Sequence, residues 1–507
     1  MTVVGGLCAV VAPFLPGGAT RADGVALAGY AGGVVLAVLL GLARSRRVRV
    51  AGGVVGVLAA GAAVVRLVLD VAGGVPGADT AVLAVGALGA AVGLVGSTSW
   101  RPRPVGVLAA VAVLAAAVAS PAVVDRVATR AETRDARDFA PEPVPDRPGG
   151  RQWSWQPPAD VTDVDAAGHG VVVATADGAV TALDGPDGRR QWAYARPGAH
   201  VRDVLVSTDG EAVAVAFASA GDTRSNLLVV LDADTGAERF RRVVPAVLVQ
   251  TRQVVVTART LVIRDDAHTA YDLGTGEERW RWSPPGGCTS PFSLLARGRT
   301  EVLAPVQCPG EVGLLALDEV TGDERWRHEV AVDDSAGERI DVLPTSTSDG
   351  AAVWLRIVGG PAAPGSVTSG LFDTGTGALL AGPPAPWWPR ADVGVTPLLE
   401  QQAGAEVEAL AALDLTGASH PLDLALCPLR SADATTARTY LRLCGDTGRD
   451  VTLVVQAWDG SPPTSIPVRL DGSGSRQDLR LVPAPGAIVV ARGTSGGTPA
   501  PVVGLSG

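Results

Sequence analysis

The distribution of apolar and polar positions changes character once along the chain. Up to residue 124 the apolar residues form long stretches, at 3–19, 25–43, 50–72, 80–97 and 105–124, each near the roughly 20 residues a helix needs to cross a bilayer. The first is short and contains Pro13 and Pro16. Beyond residue 150 the apolar runs shrink to about five residues, as at 227–231 and 313–317, and are bounded by Asp, Thr and Gly. That is the pattern of buried strands between tight turns. Between the two regimes, residues 125–138 are densely charged and 139–150 are rich in Pro. The sequence is therefore read as a helical bundle over 1–124, a linker over 125–150 whose charged first part could continue the fifth helix briefly as a stalk and whose Pro-rich half is extended and semi-rigid, and an all-β domain over 151–507.

The loops of the first region carry its orientation. Arg44, Arg46, Arg47 and Arg49 lie in one connection, and Arg101 and Arg103 in another two spans later. Basic loops stay on the cytoplasmic side. A multi-pass protein of the cell membrane is expected, with a cytoplasmic N-terminus and everything after residue 124 extracytoplasmic. No basic segment precedes the first apolar stretch, which argues against a cleaved signal peptide.

In the second region one eleven-residue turn recurs. Its full copies are Ala316, Asp318, Thr321, Gly322, Trp326 and Ala270, Asp272, Thr275, Gly276, Trp280. Substituted copies are Val230, Asp232, Thr235, Gly236, Phe240 and Ala182, Asp184, Gly188, Trp192, and weaker ones lie around Asp373, Asp414, 457–460 and 504–507. From Asp184 to Ser506 the eight copies stand about 46 residues apart, a repeat period. An Asp accepts hydrogen bonds from turn amides, and a Gly takes the positive φ that other residues resist. The Trp is expected to cover apolar surface of a neighbouring unit, with the small Ala leaving room for the indole. Four strands per repeat of this length make a propeller blade.

The Ala-x-Asp-x-x-Thr-Gly-x-x-x-Trp pattern resembles the tryptophan-docking motif of pyrroloquinoline-quinone (PQQ)-type propeller repeats, over about residues 150–507. The resemblance implies an all-β, eight-bladed propeller of four-stranded blades. The family includes quinoprotein dehydrogenases and also non-catalytic scaffolds such as the lipoprotein of the outer-membrane barrel-assembly machine. The chain stops after a third-strand run at 501–505, and 149–153 repeat the Gly-to-Trp spacing of Gly188 to Trp192. Residues 151–156, with Trp153 and Trp155, are thus expected to supply the outer strand that closes the last blade and removes its open edge.

Charge narrows the partners. All 42 basic residues are Arg, the formal net charge is −10, and residues 125–507 hold 34 Arg against 49 acids. An acidic exterior domain excludes nucleic acid and an electrostatic hold on anionic lipid. With no Lys in the chain, an Arg is weak evidence for selected recognition. Four of the five Cys lie in the propeller; neighbours are paired, Cys288 with Cys308 and Cys427 with Cys444, though other pairings stay open.

Few residues suggest chemistry. Arg66 and Asp70 stand four apart on the third span and read either as a packed ion pair near the outer interface or as a proton or quinone site. Asp163, Asp203, Asp341, Asp392 and Asp478 each open an inner strand and would form an acidic ring around the central channel, able to hold a cation or basic partner, if their side chains reach the axis; strand ends also simply favour polar groups. The stretch from Asp232 to Gly236 resembles the front of a calcium loop but lacks the bidentate Glu. The five His are scattered, with no hydrolase pattern around them. The reading that results is a membrane-anchored, extracytoplasmic scaffold that binds an unidentified protein or ligand and needs no cofactor. One alternative is a dehydrogenase using PQQ with calcium and passing electrons to membrane quinone. Another is a subunit of an envelope assembly or transport complex whose Gly-rich spans, with Gly52, Gly53, Gly56, Gly86 and Gly89, form the docking surface.

Overall fold

The computed structural model describes residues 1–15, 17, 24–96, 104–136, 140–149, 151–219, 224–250, 252–290, 295–332, 340–359, 367–382, 387–390, 394–403, 406–423, 430–445, 450–470, 479–493 and 498–507. The apolar stretches form α1 (Thr2–Val11), which runs into a 3-10 turn, α2 (Gly24–Gly41), α3 (Arg46–Ala72), α4 (Ala78–Gly96) and α5 (Pro104–Ala128). Three helices, over 46–72, 78–96 and 106–128, are long and apolar enough to cross a membrane; Thr2–Phe14 and Leu27–Gly41 are shorter apolar helices. The other four helices pack around α4. Glycine permits the closest crossing, since a Cβ on Gly5 would stand 2.5 Å from the carbonyl oxygen of Gly86. Outward-facing Leu58, Leu108 and Val118 remain exposed.

The remainder is an eight-bladed β-propeller, with seven sheets of four strands and one of five. Blade one is β3 (Val161–Ala167), β4 (Gly170–Thr175), β5 (Ala179–Asp184) and β6 (Arg190–Ala195); blade two is β7 (Ala199–Val206), β8 (Ala212–Ser219), β9 (Ser225–Asp232) and β10 (Glu238–Pro245). After the short helix α6 (Ala246–Gln250), blade three is β11 (Val254–Val256), β12 (Thr260–Arg264), β13 (His268–Asp272) and β14 (Glu278–Trp282). Middle strands such as β4 and β8 are buried at every residue. Blades stack face to face, so both sides of these strands meet a neighbour, and the sequence runs apolar instead of alternating. Closure is by β2 (Arg151–Trp155), which pairs antiparallel with Val502–Ser506 and sets Trp153 opposite Gly504.

The segment expected as a linker is partly ordered. α5 continues to Ala128, and β1 (Arg130–Glu132) adds a fifth strand to blade one, with Ala131 opposite Tyr194. The edge of β6 presents unpaired backbone groups, and the charged chain leaving α5 satisfies them.

The repeated turn has one geometry wherever it is complete. Asp272 Oδ1 accepts from the amides of Gly274 and Thr275 at 2.8 Å each, and Asp318 Oδ1 from those of Val320 and Thr321 at 2.8 Å each. Gly236, Gly276 and Gly322 all have φ between 72 and 75°. From the closing strand through blade four, the aromatic ring lies on the turn glycine of the next blade: a Cβ on Gly236 would stand 2.7 Å from Trp192, and one on Gly322 2.8 Å from Trp280. Each indole N–H also donates to the carbonyl of the residue after the next blade's Asp: Trp192 to Ala233 at 2.8 Å, Trp280 to Glu319 at 3.0 Å, Trp326 to Thr374 at 2.7 Å, and Trp153 to Gly185 at 2.6 Å. Phe240 keeps the ring contact, with Gly276. Blade five ends the series, because Ala381 stands where Trp326 stood and faces Gly417. Between blades six and seven, His420 takes that position, bonds Asp414 at 3.0 Å and stacks on Trp458 with ring centroids 5.2 Å apart.

Trp192 is almost fully buried. Its replacement by Ala should destabilise the full-length protein by about 3–5 kcal/mol, read by denaturant unfolding in detergent. A loss below about 1 kcal/mol would show that the ring contributes little to the contact between blades one and two.

Candidate functional site

The most elaborate polar site joins the helices to the propeller. The turn after α3 enters the seam of blades one and two, where Val75 is completely buried among propeller residues. The backbones touch: a Cβ on Gly198 would stand 1.9 Å from the carbonyl oxygen of Ala72, and one on Gly74 2.7 Å from the nitrogen of Ala199. Beside this contact lies Arg196, whose side chain has no exposure. Its guanidinium donates to Asp125 of α5 at 2.8 Å, to the carbonyl of Gly74 at 3.3 Å and to the Tyr194 hydroxyl at 3.1 Å. Tyr194 in turn donates to Glu238 at 2.9 Å, and Arg241 of β10 also pairs with Asp125. Burial pushes the Tyr194 phenol up to about 12, with Arg196 opposing and Glu238 adding to the shift, so it stays a neutral donor. A second clasp follows α5: Arg190 pairs with Glu132 at 2.6 Å, and Arg134 with Asp234 at 3.2 Å.

The candidate residues from the sequence are dispersed. Arg66 and Asp70 form an ion pair of 3.1 Å along α3, with Asp70 buried. A third ionisable group that sequence reading passed over, Asp79 of α4, is buried close to both and accepts from the Thr80 amide at 2.7 Å. Of the five acids expected to ring the channel, Asp163 accepts from its neighbouring amide Val164 at 3.0 Å and pairs with Arg480 of the last blade at 2.9 Å. Burial raises its pKa against the pull of that Arg. Asp203 accepts from Val204 at 3.1 Å, and Asp341 opens its strand; Asp392 and Asp478 lie outside the described residues. Among the described residues no three His, Cys, Asp or Glu side chains are grouped so as to hold a metal ion.

Cys288 and Cys308 form a disulfide. Cys444 is also disulfide-bonded, while Cys427 lies outside the described residues. Three of the turn Asp hold an Arg seven residues later: Arg239 on Asp232 at 2.8 Å, Arg279 on Asp272, and Arg325 on Asp318. The Arg immediately before Phe240, Trp280 and Trp326 was the signal available for this. Partial burial pushes the Asp272 carboxyl up, but Arg279 and the turn amides outweigh it and hold the group at about 2. The junction residues had no comparable signal.

Two predictions come from these groups. Arg196→Met removes the donor to Tyr194 and Gly74 while Arg241 still pairs with Asp125, and should cost the junction about 1–3 kcal/mol, seen by hydrogen exchange of the full chain in detergent as loss of amide protection at residues 73–75; unchanged protection would mean the backbone contacts suffice. His268 is buried against Trp282, and burial, with Arg264 nearby, depresses its pKa from 6.5 to about 3. The unfolded chain takes up a proton below 6.5 that the folded imidazole refuses until about 3. The stability carried by neutral His268 is therefore complete above 6.5 and lost as pH falls toward 3. His268→Phe should flatten the melting temperature across that window, and an unaltered slope would assign the acid sensitivity elsewhere.

Comparisons with known proteins follow the same division of the chain. The family model described as outer membrane protein assembly factor BamB matches residues 146–222 and 203–353. Among solved structures, BamB from Moraxella catarrhalis is 17% identical, covering 69% of this chain and 98% of its own, with a TM-score of 0.40. The dihydro-heme d1 dehydrogenase NirN is also 17% identical, covering 61% of this chain and 67% of its own at a TM-score of 0.37. The WD40 domain of SCAP from fission yeast is 10% identical and covers 75% and 98% at 0.41. A search of curated proteins finds no match. Behind an N-terminal region of apolar helices, the chain thus carries a PQQ-like β-propeller, similar over residues 146–353 to the BamB assembly-factor family.

Proposed function

We propose that this protein is a membrane-anchored, extracytoplasmic propeller that serves as a non-catalytic binding scaffold for a protein partner of the cell envelope. The junction is the observation that carries the reading. The turn after α3 and Asp125 near the end of α5 both meet the propeller, so it sits at the helix ends opposite Arg46, Arg47 and Arg49 at the start of α3. Basic residues favour the cytoplasmic side, which leaves the propeller outside. Docking uses the face that carries the β6–β7 connection. The opposite face carries the Asp-Gly turns; the chain after α5 touches it at Asp234, Gly486 and Thr436, and the remainder of that face is the surface proposed for a partner. The match to an assembly-factor family supports a protein as that partner, and the acidic composition disfavours nucleic acid.

Two measurements test the reading. A single Cys at exposed Asp209 should react with a membrane-impermeant maleimide in intact cells, and one at exposed Arg47 only after permeabilisation; the reverse pattern would overturn the topology. The full-length protein given PQQ with calcium should show neither a thermal shift nor dye reduction with sugars or alcohols. Turnover would replace the scaffold by a dehydrogenase.

A further inference from the structure

The seam between blades two and three holds a cavity of ≈ 200 Å³ whose charged lining is Arg242, Arg281, Asp265 and Asp266. Val244, Leu248 and Ile263 form apolar wall. Elsewhere in this chain Arg and acid side chains pair freely, yet around this cavity they do not. Asp265, Asp266 and Arg281 have no ion-pair partner among the described residues. Arg242 lies 3.7 Å over the Tyr271 ring and spends one N–H on the Gly276 carbonyl at 3.3 Å, while its Nε is buried without a hydrogen bond. Cations and carboxylates thus line one space without neutralising each other, with Asp265, Asp266 and Arg281 exposed and Arg242 half-buried, so a ligand carrying both signs of charge would pair with both sets.

The position of the cavity narrows the ligand. Asp265 and Asp266 lie in the β12–β13 loop, and Val244 and Leu248 in the connection from β10 through α6. In blade one the connection equivalent to that through α6 meets the helices, where Gly198 touches Ala72, and the loop equivalent to the β12–β13 loop packs beside it, a Cβ on Gly178 standing 2.6 Å from the Ala199 carbonyl oxygen. Arg241, the residue before Arg242, pairs with Asp125 near the end of α5. Val247 of α6 projects exposed beside the cavity. The opening therefore lies at the level where the helices emerge.

We infer that this cavity binds the headgroup of a membrane lipid carrying both a phosphodiester and a primary ammonium, the phosphoethanolamine class. The inference rests on the membrane-anchored reading. The two guanidiniums suit the phosphate oxygens. The two carboxylates suit an ammonium that donates up to three hydrogen bonds. A purely anionic headgroup would engage the guanidiniums but leave Asp265 and Asp266 without a cation. A quaternary ammonium makes no such hydrogen bonds and prefers an open aromatic face; Arg242 already covers that of Tyr271. The apolar wall receives the first carbons below the headgroup.

The test uses the full chain in nanodiscs of equimolar phosphatidylethanolamine, phosphatidylglycerol and phosphatidylcholine, followed by detergent release and native mass spectrometry of retained lipid. Retention of phosphatidylethanolamine should exceed that of the other two by about tenfold. The double variant Asp265→Asn with Asp266→Asn, both exposed loop positions, should shift the preference to phosphatidylglycerol, and Arg242→Gln should abolish it. Equal retention of all three lipids, or a preference unmoved by the loop variant, would overturn the inference while leaving the anchored reading intact. Displacement by soluble glycerophosphoethanolamine at equal concentration would also overturn it, by assigning the site to a free ligand. Failure of the chain to remain in the bilayer would remove the anchored reading and the inference together.

Discussion

A sheet whose middle strands are apolar on both faces is insoluble by itself, so each blade here depends on its neighbours to cover it. Face-to-face stacking supplies most of the apolar burial, but stacking alone does not set the angle or the register between blades. The ring on the next blade's glycine does both. A flat aromatic surface fits against a residue without a side chain, and the indole N–H reaches one carbonyl, the residue after the turn Asp. The Asp is held in turn by its own amides and by an Arg seven residues on. Backbone conformation, charge and packing meet in one device, which is why its residues recur together.

The device is unevenly spent. It runs from Trp153 on blade one to Trp326 on blade five, and then gives way to Ala381 and to the His420 and Trp458 stack. The family match ends at residue 353, and the docking series breaks just after it, within blade five. The same half of the ring carries the helices and the strand β1. The two blades that meet the helices are both stapled, while the later blades keep the strand pattern without the aromatic lock.

Arg196 shows what the junction costs and gains. A fully buried guanidinium is unfavourable unless its donors are satisfied. Here Asp125, the Gly74 carbonyl and Tyr194 meet it from a helix, a loop and its own strand. Because those partners come from different parts of the chain, the bond network exists only when helices and propeller are seated together. The propeller is held against the helices by this network and by β1, in place of hanging on a flexible tether.

The eight-bladed fold was legible because it rests on local chemistry repeated many times: Asp for the turn amides, Gly for positive φ, and an aromatic at fixed spacing. Closure by Trp153 and Trp155 was legible for the same reason, since residues 149–153 copy the spacing of another blade's outer strand. The apolar stretches likewise announced helices, and the neighbouring pair Cys288 and Cys308 announced a disulfide. What depended on contacts between distant segments was not legible. The charged residues after α5 read as a linker because nothing local says that an open strand edge awaits them. The pairing of Asp163 with Arg480 was not legible, because the two lie on either side of the ring closure. Arg196, Asp125 and Val75, and the unpaired charges around the cavity of blades two and three, acquire meaning only from their neighbours. A repeat writes its own geometry into every copy, whereas a site assembled once from distant parts leaves no period to read, so only the tertiary structure decides it.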